Sequence, residues 1–166
     1  MKEQFQSLFN HYQQKGILID TNILLLYFVG TVNPARISKF NRTEQFTIED
    51  YQTLLELLSY FPKRITTPNI LTEVNSLADK LGEPERSQCF ALFSNTIPLF
   101  NEFHLESHTV AKSQGFVKFG LTDCSIVELA RSQYLVLTDD LKLFVYLQNQ
   151  GVNTINFNHL RIYGWS

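Results

Sequence analysis

Apolar residues in this chain come in short unbroken runs separated by stretches of helical period. Ile17, Leu18 and Ile19 form such a run after Gly16. With no alternation between faces, it predicts a strand over 17 to 20 covered on both sides, as in a parallel sheet. An apolar helix over 22 to 29 follows directly, with Gly30 as its expected stop. Ahead of them Phe5, Leu8, Phe9 and Tyr12 fall at helical spacing and predict a leading helix over 3 to 14. Residues 31 to 46 are polar, contain Pro34 and Asn41 with the cations Arg36, Lys39 and Arg42, and read as a loop. Thr47 with Asp50 three residues on is a capping-box start. The helix it opens runs to about Tyr60, buries Tyr51, Leu54, Leu55 and Leu58, and stops at Pro62.

The second half repeats the pattern. A strand over 64 to 67 leads into a helix that Thr67 caps and Pro68 starts. Ile70, Leu71, Val74, Leu77 and Leu81 mark its stripe, and Gly82 closes it. Glu83 and Pro84 begin another helix, carrying Phe90, Ala91, Leu92 and Phe93. A weak third strand over 101 to 105 precedes helices over 107 to 118 and 123 to 132, the latter turning Ile126, Val127, Leu129 and Ala130 inward. Tyr134 to Thr138 is a β-rich strand, 141 to 149 a helix ended by Gly151, 153 to 157 a last strand and 158 to 166 a tail. Short buried strands alternating with helices predict an α/β fold, three layers α/β/α around a parallel sheet of about five strands. The 166 residues bound a single domain over 1 to 166.

Composition narrows the function class by exclusion. A formal net charge of −2 argues against a protein that grips nucleic acid through bulk positive charge. Cys89 and Cys124 provide neither ligand spacing nor a disulfide framework. Residues 1 to 15 are polar and Gln-rich, unlike a signal peptide. The longest apolar run, 23 to 29, is too short to span a bilayer. The expectation is a cytoplasmic protein with no membrane partner.

The acidic residues are placed unlike solubilising charges. Asp20 ends the first strand, and Asp139 and Asp140 end the fourth. Glu73 lies in the second turn of the helix after the second strand, at the margin of its apolar stripe beside Leu77. Asp123 begins the helix before the fourth strand. In open α/β sheets the carboxyl ends of strands are where ligand sites form. The plain reading is that Asp20 and Asp123 are helix N-caps, Asp139 and Asp140 a turn pair and Glu73 a surface charge. Against it stands their shared placement at one sheet edge. Crowded carboxylates raise one another's pKa, a tension that a divalent cation relieves. Oxygen-only ligands suit Mg²⁺ or Mn²⁺, and such ions serve phosphoryl transfer by activating a water and neutralising the phosphate.

At these residues the chain resembles the PIN-domain ribonucleases. Ile19-Asp20-Thr21-Asn22 is similar to their first motif, Thr67-Pro68-Asn69-Ile70-Leu71-Thr72-Glu73-Val74 to the second, Leu121-Thr122-Asp123 to the third and Leu137-Thr138-Asp139-Asp140 to the fourth. No single motif is specific; the signal is four in the right order across 17 to 157. The resemblance implies a sheet of order 3-2-1-4-5 and cleavage of single-stranded RNA that depends on Mg²⁺ or Mn²⁺. Asp20, Glu73, Asp123 and Asp140 are the implied catalytic and metal-binding acids. Asp139 is a further metal-site candidate, either as a ligand or in support, and Asn22 and Thr138 orient the carboxylates. The family is often dimeric and includes VapC-type toxins, so a homodimer and an antitoxin-like protein are its implied partners beside the RNA substrate. This chain is longer than those toxins, with an extra leading helix and the 31 to 46 insertion.

Other residues offer less. His11, His104, His108 and His159 are scattered; His104 and His108 are four apart but lack a third ligand. Cys124 lacks a base. Lys112, Lys118, Arg131 and Lys142 flank the third and fourth motifs as candidate phosphate contacts. Arg161, Tyr163 and Trp165 in the tail either stack on bases or pack on the core or a partner. The alternative from another class is a catalytically silent PIN-like scaffold that binds RNA or protein. A phosphorelay receiver also clusters acids, but it needs a lysine after its last strand, where this chain has Asn158 and His159.

Overall fold

In the computed structural model, which describes residues 2–131 and 133–163, each short apolar run becomes a strand of one sheet. Helix α1 (Lys2–Tyr12) leads into β1 (Ile17–Ile19) and α2 (Thr21–Val32); α3 (Ile48–Ser59), β2 (Arg64–Thr66), α4 (Pro68–Ala78), α5 (Glu85–Thr96) and β3 (Asn101–Glu102) follow. Then come α6 (Ser107–Val110), α7 (Phe116–Ala130), β4 (Leu135–Thr138), α8 (Leu141–Asn149), β5 (Thr154–Asn156) and α9 (Phe157–Tyr163). The five strands are all parallel in the order β3-β2-β1-β4-β5. β1 is central, with Leu18 opposite Ile65 on one side and Val136 on the other.

The helices between the parallel strands fall into two packed groups. α2 packs against α3, α4 and α5 on one face, and α7 against α8 on the other, giving three layers. Ile23, Leu24, Leu25, Leu26, Phe28 and Val29 are all buried, so α2 is apolar around its whole circumference, as suits an interior helix. Caps set the helix starts as the sequence predicts. Thr47 Oγ1 accepts from the Asp50 backbone N–H at 3.1 Å, and Asp50 Oδ2 accepts from Thr47 N–H at 2.8 Å. Thr67 Oγ1 accepts from Ile70 N–H at 3.2 Å.

Several boundaries differ from the pattern. Gly30 does not stop α2, which runs on to Val32. Its role is close packing: a Cβ there would lie 2.4 Å from the Tyr51 ring. Gly30→Ala is therefore expected to cost about 2 kcal/mol through overpacking, read as a lower urea midpoint; an unchanged midpoint would disprove the tight contact. Gly82 likewise lies beyond the end of α4, which closes at Ala78. Residues 31 to 46 are not a loop. Pro34–Lys39 forms a 3-10 helix, and Ile37, Phe40, Thr43 and Phe46 are buried. These recur every three residues, the 3-10 period; a search for 3.6 passes over them. The Thr43 hydroxyl ties the segment to itself by donating to Ile37 O at 2.8 Å.

The third strand shrinks to Asn101–Glu102. The helix expected over 107 to 118 ends at Val110, and α7 begins at Phe116. Gly120 interrupts α7 with φ 79° and ψ −171°, a conformation that favours glycine. Helical backbone resumes at Leu121, so Asp123 lies in the first turn of the second segment. Phe157, expected to end the last strand, opens α9 instead, and residues 158 to 163, taken as part of the tail, continue it. Trp165 lies outside the described residues. No described helix is long and apolar enough to cross a membrane.

Candidate functional site

The two central strands bring the first and fourth acidic motifs side by side. Asp20 follows β1, and its backbone N–H donates to Leu137 O of β4 at 2.9 Å. Its carboxylate is buried and twice bonded. Oδ1 accepts from Thr21 N–H at 2.7 Å, which makes Asp20 the N-cap of α2, and Oδ2 accepts from the Thr138 hydroxyl at 2.7 Å. The Thr138 hydroxyl in turn accepts from Asp140 N–H at 3.1 Å. Thr138 thus ties the end of β1 to the turn after β4. Asp140 caps α8, with Oδ1 accepting from Lys142 N–H at 2.7 Å and Leu143 N–H at 3.0 Å. Capping and site membership are compatible for both acids, since each leaves lone pairs unused.

Glu73 reaches this edge from α4. Oε2 accepts from the Thr21 hydroxyl at 2.8 Å, and Oε1 from the Thr122 hydroxyl at 2.6 Å. It is exposed, where the helical wheel suggests a half-buried margin. Thr21 and Thr122 are the residues that sequence reasoning misses, although both lie inside the quoted motifs. What marks them is a hydroxyl beside each acid, a signal visible only once the partner is known.

Asp123 completes the set from α7. Burial first, then the charges of Asp20, Asp140 and Glu73, push its carboxyl up to about 7. Asp20 is raised to about 6, chiefly by burial, with its two hydrogen bonds opposing and Asp139 and Glu73 adding repulsion. Carboxyls from four elements therefore feel one another across one edge of the sheet. Among the described residues, however, no three His, Cys, Asp or Glu side chains are drawn together as a ready-made metal cage.

Asp139 is set apart from the other acids by its partners. Its Oδ2 accepts from Asn22 Nδ2 at 3.4 Å, while Oδ1 is buried and has no hydrogen-bond partner among the described residues. Burial is the main reason its carboxyl is raised. Asn158 Nδ2 donates to Asp139 O at 3.0 Å, and Arg161 Nη1 donates to Asn158 Oδ1 at 3.0 Å. Arg161 also pairs with Asp50 Oδ2 at 2.9 Å, donates to Gln45 O at 2.7 Å and lies over the Phe46 ring. Of the two uses expected of Arg161, packing on the chain is the one seen: it joins α9, the start of α3 and the insertion behind the fourth motif.

An open depression of about 240 Å³ flanks Glu73, lined by Pro68, Asn69, Thr72 and Thr122. Of the candidate phosphate contacts, Arg131 is engaged with Glu128 and Gln150, and Lys118 lies over the Phe119 ring. His108 pairs with Glu106, and His159 packs edge-on to Phe144. Both cysteines are buried, and burial raises the Cys89 thiol to about 11, so neither is an activated nucleophile. Comparison of the chain with known protein families, with curated proteins and with solved structures finds no match.

Proposed function

We propose that this chain is a PIN-type, metal-dependent endoribonuclease acting on single-stranded RNA. The observation that supports this reading is the convergence of Asp20, Glu73, Asp123 and Asp140 on one sheet edge, close enough for their charges to couple. The donor set is all oxygen, and buried Asp139 Oδ1 has no partner among the described residues; both suit Mg²⁺ or Mn²⁺. Asp20, Glu73, Asp123 and Asp140 would hold the ion, with Asp139 beside them. When bound, it supplies charge neutralisation at the scissile phosphate and activation of the attacking water.

The chain's own groups do the rest. Thr138 fixes Asp20, while Thr21 and Thr122 fix Glu73, so these carboxylates face the edge in set directions. Asp123 keeps its carboxyl proton up to about pH 7 in the metal-free chain. Cation binding must displace that proton, so affinity should rise between pH 6 and 8. Mn²⁺ is expected to raise Tm, more at pH 8 than at pH 6, and Asp20→Asn to remove the shift. An identical response in both proteins would place the ion elsewhere.

Cleavage by water leaves a 5′-phosphate and a 3′-hydroxyl, whereas attack by the RNA 2′-hydroxyl leaves a cyclic phosphate. End-group analysis of cleaved RNA is expected to show the former, and EDTA to stop the reaction. Cyclic-phosphate ends or full activity in EDTA would overturn the mechanism. The second reading, an RNA- or protein-binding scaffold, is favoured by the lack of a preassembled cage among the described residues. It becomes the better account if varied RNAs stay intact with Mn²⁺ present.

A further inference from the structure

The opposite end of the sheet has a different chemistry. Lys15 lies two residues before β1, Lys63 immediately before β2 and Tyr134 immediately before β4. Parallel strands bring these positions to one edge, as they bring the acids to the other. With Ile65, Asn101 and Phe103 they line a groove of about 190 Å³. Ile65 pairs in register with Asn101, so their side chains share a face of the sheet, and Phe103, two residues on, joins them. Glu102 between them alternates to the other face.

Buried Ile65 floors the groove, while Phe103 is 39% exposed, an aromatic ring left partly in water. The Phe103 and Tyr134 rings stand 5.8 Å apart with a 33° tilt, forming one wall. Lys15 and Lys63 make no ion pair among the described residues. The Lys15 ammonium lies 2.9 Å from His11 Nε2 and over the Tyr12 ring, contacts that leave its charge unneutralised. The groove thus brings two unpaired lysines to an exposed aromatic wall.

We propose that this groove is a nucleotide-binding site: one base stacks on Phe103 and Tyr134, Asn101 hydrogen-bonds the base edge, and Lys15 and Lys63 take the phosphate. Aromatic faces accept any base, and lysines supply the salt-dependent phosphate attraction. One aromatic wall beside one pair of lysines makes a single nucleotide the unit recognised. It can come from a free nucleotide or from a single-stranded RNA. The site shares no residue with the acidic edge.

The test is an NMR titration of the full chain in EDTA, which keeps any metal-dependent cleavage silent. The probes are adenosine 5′-monophosphate, adenosine, inorganic phosphate and a short oligoadenylate. The monophosphate is expected to shift the amides of residues 63 to 65, 101 to 103 and 134 saturably. Adenosine and phosphate alone should bind more weakly. Lys15→Gln with Lys63→Gln, both on exposed side chains, should weaken binding by about tenfold or more. Phe103→Leu should weaken it too, with an unchanged spectrum elsewhere. Tighter binding of the oligoadenylate assigns the site to RNA, and equal binding assigns it to free nucleotide. Absence of shifts at millimolar monophosphate, shifts confined to the acidic edge, binding unaltered in the double variant, or preference for a phosphate-free acidic peptide would each overturn the proposal.

Discussion

Asp123→Asn is expected to abolish RNA cleavage and, in the same protein, to raise the melting temperature. The two effects have one cause. The Asp123 side chain makes no hydrogen bond among the described residues, and its carboxyl is raised to about 7 by burial and by Asp20, Asp140 and Glu73. An unfolded aspartate ionises near its ordinary value of 3.8, so between about pH 4 and 7 the native chain binds the extra proton. Stability therefore falls as pH rises through that window, and the penalty is complete above it. Asparagine keeps the shape and removes the charge. Allowing for solvent screening of a partly exposed group, the gain at pH 8 is on the order of 2 kcal/mol. That corresponds to a rise of about 5 °C for a chain of this size. At pH 4 the two proteins should melt together. Cleavage should fall by a factor on the order of a thousand. A variant that melts lower at pH 8, or that still cuts RNA, would show that Asp123 is an ordinary helix residue.

Arg161→Ala is expected to destabilise the chain by about 3 kcal/mol, although the residue lies in the last turn of the last described helix. Its guanidinium is 26% exposed and its partner Asp50 only 11%. Truncation leaves Asp50 without its cation, Gln45 O without its donor and Asn158 without its anchor. Part-buried groups stripped of partners cost far more than a surface ion pair contributes. Arg161→Lys should restore less than half of the loss, because one ammonium cannot follow the fork of a guanidinium to three acceptors. Urea unfolding with an unchanged slope would measure both. A loss below about 1 kcal/mol, or full rescue by lysine, would mean that α9 is held by its apolar contacts instead.

These residues show what a sequence can and cannot reveal. The parallel strands and the capped starts of α3 and α4 were legible, because both leave local signatures: unbroken Ile17-Leu18-Ile19, Thr47 before Asp50, Thr67 before Pro68; the sheet order came only from what the resemblance of the four motifs implies. The common edge of Asp20, Glu73, Asp123 and Asp140 was legible for the same reason, each acid being tied to the end of a strand or the start of a helix. The Arg161 network was not. It joins residues 45, 50, 158 and 161, and no periodicity links positions more than a hundred apart. The insertion was misread because Ile37, Phe40, Thr43 and Phe46 follow a period of three, while polar neighbours dilute their hydropathy. The groove at the far end was hidden because Lys15, Lys63 and Tyr134 become neighbours only once β1, β2 and β4 are aligned.

The threonines around the acidic edge bear on when order is acquired. A glutamate on an exposed helix face samples many rotamers, and a binding partner that needs one of them must suppress the others. Glu73 has each oxygen held by a different hydroxyl, from Thr21 and from Thr122. Its search is therefore over once α2, α4 and α7 have docked. Freezing such a side chain costs about 1.5 kcal/mol, and here that loss belongs to folding rather than to recognition. A guest arriving at this edge meets a carboxylate already still.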